Sequence, residues 1–180
     1  MLKNTYTEYG SLAKFFHWLI FLLVFGMIVA GYFMGDITNK LLRSQIVNMH
    51  KLTGLMILFL MILRAIWAVA NPKPTLPLGT KRVERQLSQG VHFLLYAVLI
   101  LMPLSGWIMS VASGHPPRFE SLFFYLPIHE SKWISESALA VHSWVAIAII
   151  GLVSMHVFAA LYHHFIKQDD VLKRMWLWKI

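Results

Sequence analysis

The chain has 180 residues, 58% hydrophobic and 13% charged, with sixteen Lys and Arg against eight Asp and Glu for a formal charge of +8; a mean hydropathy of +0.62 lies outside the range of a water-soluble domain. Cysteine is absent, which excludes a disulfide framework, thiolate metal sites and Cys-x-x-Cys-His attachment of a haem. The basic residues sit beside apolar runs rather than in one patch interleaved with aromatics, so they speak for orientation in a membrane and against nucleic acid.

Residues 1–14 are polar and mildly basic, and an apolar run over 15–34 follows. Twenty apolar residues without a small-x-small cleavage site exceed the hydrophobic core of a signal peptide, so this run is expected to be a retained transmembrane helix. It carries His17 at its start, followed by Trp18, an aromatic suited to the membrane interface. A polar connection over 35–48 contains Asp36, Lys40 and Arg43. The second run, 49–70, opens with His50 and Lys51 and has Gly54 one turn on, where a missing side chain lets a flat ligand or another helix come close. Arg64 stands about 21 Å along the axis from His50; it can snorkel to the headgroups or pair with a cofactor carboxylate.

The proline-rich stretch beginning at Asn71 ends that helix, and the loop to Gln89 adds Lys81, Arg82 and Arg85 against Glu84. The third run, 90–112, has His92 near its start, a kink expected at Pro103 and Gly106, and Trp107 near the far interface. Residues 113–137 form the longest connection, with His115, His129 and an apolar patch at 119–126 expected to be interfacial. The fourth run, 138–164, carries His142 and His156. Fourteen helical residues rise about 21 Å and close within about 40° of four turns, so both imidazoles share one face near opposite sides of a bilayer. The basic tail contains Trp176 and Trp178, expected at the headgroups.

These runs predict an all-α membrane protein, a single domain over 1–180 in which four transmembrane helices form an up-down bundle. Placing the N-terminus, the 71–89 loop, the tail and Arg64 on one side collects eleven of the sixteen Lys and Arg; the other side has five, offset by four acids. The positive-inside rule then puts both termini in the cytoplasm. In that arrangement His50 and His142 share the outer level, while His156 can meet either His17 or His92 at the inner level. No acid lies within any run, whereas zinc or copper sites want three or four converging ligands. Two histidines per level is a pattern for two b haems held in a bundle core. A metal-ion transporter without a redox role is the competing class, although the ten scattered Met suit core filling better than a copper path. His163, seven residues from His156, lies on nearly the same face.

The fragments Phe16-His-Trp, His50-Lys-Leu-Thr-Gly with Arg64 and Trp67 before Asn71-Pro, His92-Phe-Leu-Leu-Tyr, Pro103-Leu-Ser-Gly-Trp and Ala160-Leu-Tyr-His-His-Phe-Ile with Asp170-Val-Leu-Lys-Arg-Met resemble the bacterial cytochrome b561 family across almost the whole chain. The resemblance implies a four-helix inner-membrane bundle with two b haems, His50 paired with His142 towards the periplasm and His17 with His156 towards the cytoplasm. It leaves Arg64, His92 and His163 as candidates for haem propionate or quinone contact. It implies electron transfer from superoxide, gathered by a funnel of Lys40, Arg43 and Lys51, or from a periplasmic redox partner, to ubiquinone. Relatives that serve as the cytochrome subunit of a hydrogenase or dehydrogenase supply the alternative. The chain departs from some relatives at Ser88, where another histidine can stand, and at Tyr162, which bears on the quinone site rather than on the haem ligands.

Overall fold

The computed structural model describes residues 1–77 and 79–176, which leaves Trp178 outside it. Four long helices dominate: α1 (Ser11–Phe33), α2 (Lys40–Ala70), α3 (Arg82–Ala112) and α4 (Lys132–Tyr162), the last running on as one π-helical turn (His163–Lys167) before a short α5 (Val171–Met175). All four are long and apolar enough to cross a membrane. A two-stranded antiparallel hairpin, β1 (Arg118–Phe119) and β2 (Leu122–Phe123), lies in the connection between α3 and α4.

Helices α2, α3 and α4 all begin before their apolar runs. Asn39 caps α2 by accepting the Leu42 N–H at 3.1 Å, Glu84 in the first turn of α3 accepts the Lys81 N–H at 3.2 Å, and Ser131 caps α4 through Ile134 N–H. Those first turns are polar on every side, so local capping rather than apolar periodicity starts them. Lys40 and Arg43 therefore belong to the first turns of α2 and not to a loop. Pro103 sits inside α3 without breaking it, as neighbouring helices permit in a membrane bundle.

Each helix packs closely on its neighbour in sequence: α1 on α2, α2 on α3, α3 on α4. Ile20, Ile57 and Met61 form the buried centre of the α1/α2 half, flanked by Phe16, Met27, Tyr96 and Ile100. Gly54 lets α1 and α3 in: a Cβ there would stand 3.8 Å from Met27 Cε and 4.0 Å from Pro103 Cβ. Most other large apolar side chains face outward, the direction of lipid.

The bundle has two distinct ends. At one, Lys51 Nζ donates to the His115 carbonyl at 2.7 Å, Asn48 bonds the Arg118 backbone in both directions at 2.8 and 3.1 Å, and Trp107 Nε1 donates to Phe124 O at 2.9 Å. The hairpin is thereby held over the start of α2. At the other end the chain termini meet the 71–77 segment. Asn4 donates to Pro72 O at 3.2 Å, Thr75 N to Tyr6 O at 2.8 Å, Arg174 Nη1 to Thr75 O, and Trp18 Nε1 to Met175 O at 2.9 Å. Trp18 also meets Trp176 edge-on. The Lys167–Glu84 ion pair, 2.6 Å, ties the π turn to the start of α3.

Met61, 2% exposed, tests this packing. Met61→Ala is expected to lower unfolding stability in detergent by about 2 kcal/mol, the low end of the range for buried truncations, because lost contacts and a cavity weaken it while lipid provides no hydrophobic drive. The shift of the denaturation midpoint against wild type measures it.

Candidate metal centres

At the hairpin end, His142 is the best-anchored ring. Its Nδ1 lies 3.1 Å from the Met102 carbonyl and 3.1 Å from Ser105 Oγ. A carbonyl only accepts, so the neutral imidazole keeps its proton on Nδ1 and presents a lone pair at Nε2. That is how metal-bound histidines are commonly held. Ser105 is 3% exposed and its hydroxyl also reaches the Met102 carbonyl at 2.8 Å, so α3 supplies the whole anchor. Gly106, one turn on, makes room for the ring: a Cβ there would lie 3.0 Å from His142 Cε1 and 3.2 Å from Nδ1.

His50 reaches the same level from α2. A Cβ on Gly31 would touch its Cε1 at 3.6 Å, and its buried Nδ1 has no hydrogen-bond partner among the described residues. An unpaired buried nitrogen costs roughly 1–3 kcal/mol, so a ring in that position wants a ligand that the polypeptide does not provide.

At the end holding the termini, three imidazoles converge. The His156 ring centroid lies 6.0 Å from His17 and 5.2 Å from His92. Two metal–imidazole bonds of about 2 Å each, plus roughly 1 Å from nitrogen to ring centre, separate two axial rings by about 6 Å, so the His17–His156 spacing suits one metal ion between them. His92 donates Nδ1–H to the Ser88 carbonyl at 2.6 Å. Arg64 does not run out to the headgroups: its Nη2 lies 3.2 Å from His17 Nδ1 and its Nε donates to Tyr96 Oη at 3.2 Å. His163 turns instead to Asp169, 2.5 Å away. Burial would push the Asp169 carboxyl up, but the His163 bond, the Val171 N–H and the Lys167 charge outweigh it and hold it below its ordinary value.

Lys40 and Arg43 are exposed on the first turns of α2, while Lys51 is tied to the His115 carbonyl. The hairpin brings Arg118 beside them through Asn48, a basic group that sequence spacing does not place there. Among the described residues, no cluster of three or more His, Asp or Glu converges as an ion site, so these histidines work in small sets without carboxylates.

A family model described as prokaryotic cytochrome b561 matches residues 8–178. The chain belongs to that family. It is similar to "Cytochrome b561 homolog 2" of Escherichia coli K12, 32% identical over 96% of this chain and 93% of the relative. "Cytochrome b561 homolog 1" of the same organism is 27% identical over 89% and 92%, and a "Probable superoxide oxidase CybB" of Yersinia pestis is 23% identical over 93% and 95%. The protein is therefore a multi-pass membrane haem protein of the cytochrome b561 family, and its chemistry is electron transfer. Anchored His142, unpartnered His50 and the 6.0 Å His17–His156 spacing are the donor set that a b haem needs, so the residues fit the group. Ser105, Gly106, Ser88 and Tyr96 escape a reading of the sequence, because their parts depend on which helix faces which.

Gly106→Ala pushes a methyl group against the His142 imidazole and is expected to lower haem content per chain or shift the low-spin spectrum. Gly151→Ala, where a Cβ meets nothing within 4 Å, leaves both unchanged. Absorbance and electron paramagnetic resonance of the two purified variants check this. Asp169 adds a pH dependence of known sign: a depressed carboxyl stabilises the fold fully above its ordinary value of 3.8 and loses that contribution as pH falls through the lower folded value. Asp169→Asn is expected to flatten this acid limb of stability, read as midpoint against pH.

Proposed function

We propose that the chain is a two-haem b cytochrome of the bacterial inner membrane, with both termini cytoplasmic, that carries electrons from periplasmic superoxide to ubiquinone. His50 and His142 hold the outer haem and His17 and His156 the inner one. The observation that carries this reading is the pairing of buried imidazoles at two depths, one anchored through Nδ1 to a backbone carbonyl. Support for orientation comes from the excess of Lys and Arg at the end that holds the termini. Support for the donor comes from the likeness to a probable superoxide oxidase.

When bound, haem b supplies reversible one-electron iron chemistry. The protein's part is to shape access to it. Two imidazoles on each iron close its coordination, so substrates exchange electrons at an edge and do not bind the metal. Each superoxide anion gives up one electron and leaves as dioxygen; two of them match the two electrons and two protons that convert quinone to quinol. Lys40, Arg43, Lys51 and Arg118 surround the outer end of α2 with positive charge, which raises the local concentration of a small anion. Apolar helix faces exclude water between the two levels, and Ser105 and the Met102 carbonyl fix the orientation of His142.

Purified protein is expected to carry two b haems per chain, to be reduced rapidly by enzymatically generated superoxide, and to be reoxidised by a short-chain ubiquinone. His142→Ala is expected to leave about one haem. Arg43→Gln with Lys40→Gln slows reduction by superoxide several-fold at low salt, and less at high salt, as expected of a screened surface field. Two haems without reduction by superoxide would move the donor to a protein partner, as in a hydrogenase or dehydrogenase complex, and absence of haem would overturn the ligand assignment.

A further inference from the structure

His17 and His92 both lie beside His156, but their hydrogen bonds commit them to different states. His92 Nδ1 is 2.6 Å from the Ser88 carbonyl one turn back, with Ser88 Oγ at 3.4 Å from the same atom. The carbonyl accepts only, so the proton resides on Nδ1 and the lone pair at Nε2 is free. His17 Nδ1 faces Arg64 Nη2 at 3.2 Å. A guanidinium donates only, so here Nδ1 is the acceptor and the neutral ring carries its proton on Nε2. His17 can offer Nε2 to a metal only after Arg64 withdraws and the ring changes tautomer. His92 needs neither step.

Arg64 is also held by Tyr96, through Nε to the phenol oxygen at 3.2 Å and with its Cζ 5.7 Å from the ring centroid. It therefore rests on two neutral partners inside the bundle. A guanidinium pairs more strongly with an anionic carboxylate than with neutral groups, so an acid group arriving nearby would draw it off His17.

Building on the two-haem reading, we infer that His92 is a second axial ligand for the inner iron, beside His156 and in exchange with His17, and that Arg64 selects between them. With Arg64 on His17, His92 is the available ring. With Arg64 drawn away, His17 becomes competent. The inner site thus contains three ligands for two positions, and the occupant depends on an arginine that touches no iron.

The test is haem content and low-temperature electron paramagnetic resonance of purified wild type, His17→Ala, His92→Ala, the double variant and His156→Ala. His17→Ala is expected to retain nearly two haems, with the inner low-spin signal displaced. His92→Ala also retains two, the double variant falls to one, and the persisting outer signal shows that the bundle has folded. Arg64→Gln, which releases His17 Nδ1, moves the inner signal towards that of His92→Ala. Loss of one haem in His17→Ala alone would overturn the exchange, and an unshifted inner signal in Arg64→Gln would overturn the role of Arg64. Failure of the underlying reading looks different: wild type without two haems, or His156→Ala with two.

Discussion

A neutral imidazole has one proton, and the atom that faces that proton decides whether the other nitrogen can hold a metal. In water the choice is made and unmade freely. Inside a bilayer, where an unsatisfied polar atom is expensive, each ring must settle against a fixed neighbour. Met102 and Ser88 settle it in one direction for His142 and His92, and Arg64 settles it in the other for His17. Those neighbours are themselves placed by helix packing, so the chemistry at both levels depends on which turn of which helix faces each ring.

Backbone carbonyls can play this part because a helix leaves each carbonyl a second lone pair. Met102 lies just before Pro103, and its oxygen takes bonds from Ser105 and from the ring on α4. Ser88 precedes His92 by one turn of the same helix and needs no partner helix to orient it. The first anchor fails if α3 and α4 separate, whereas the second survives as long as α3 is helical. The two ends of the bundle therefore depend differently on tertiary packing, although their histidines look alike in the sequence.

Much of this architecture was legible before any coordinates. Four apolar runs, the fourteen-residue interval from His142 to His156 and the uneven distribution of Lys and Arg lead to a four-helix membrane protein with paired histidines. Periodicity could not show the capped polar turns that start α2 at Lys40 and α3 at Arg82, because those turns bury no stripe. Nor could it separate His17 from His92, since helical arithmetic fixes depth but not rotation about the bundle axis. The two lie at the same depth, and both prove to reach His156. Arg64 shows the same limit: its distance from His50 along α2 was readable, while its bonds to Tyr96 and His17 require α3 and α1 to face it.

The knot of hydrogen bonds that joins Asn4 to Pro72, Thr75 to Tyr6, Arg174 to Thr75 and Trp18 to Met175 bears on the order of assembly. Its members come from the first and the last segments of the described chain, so it cannot close until synthesis is nearly complete and all four helices have inserted. His17 adjoins Trp18, which that knot immobilises, whereas His50, Ser105, Gly106 and His142 lie at the opposite end. The end nearest the ribosome's last product is thus the last to be sealed, and a bulky prosthetic group has its widest passage to the three inner histidines while the nascent C-terminus is still free.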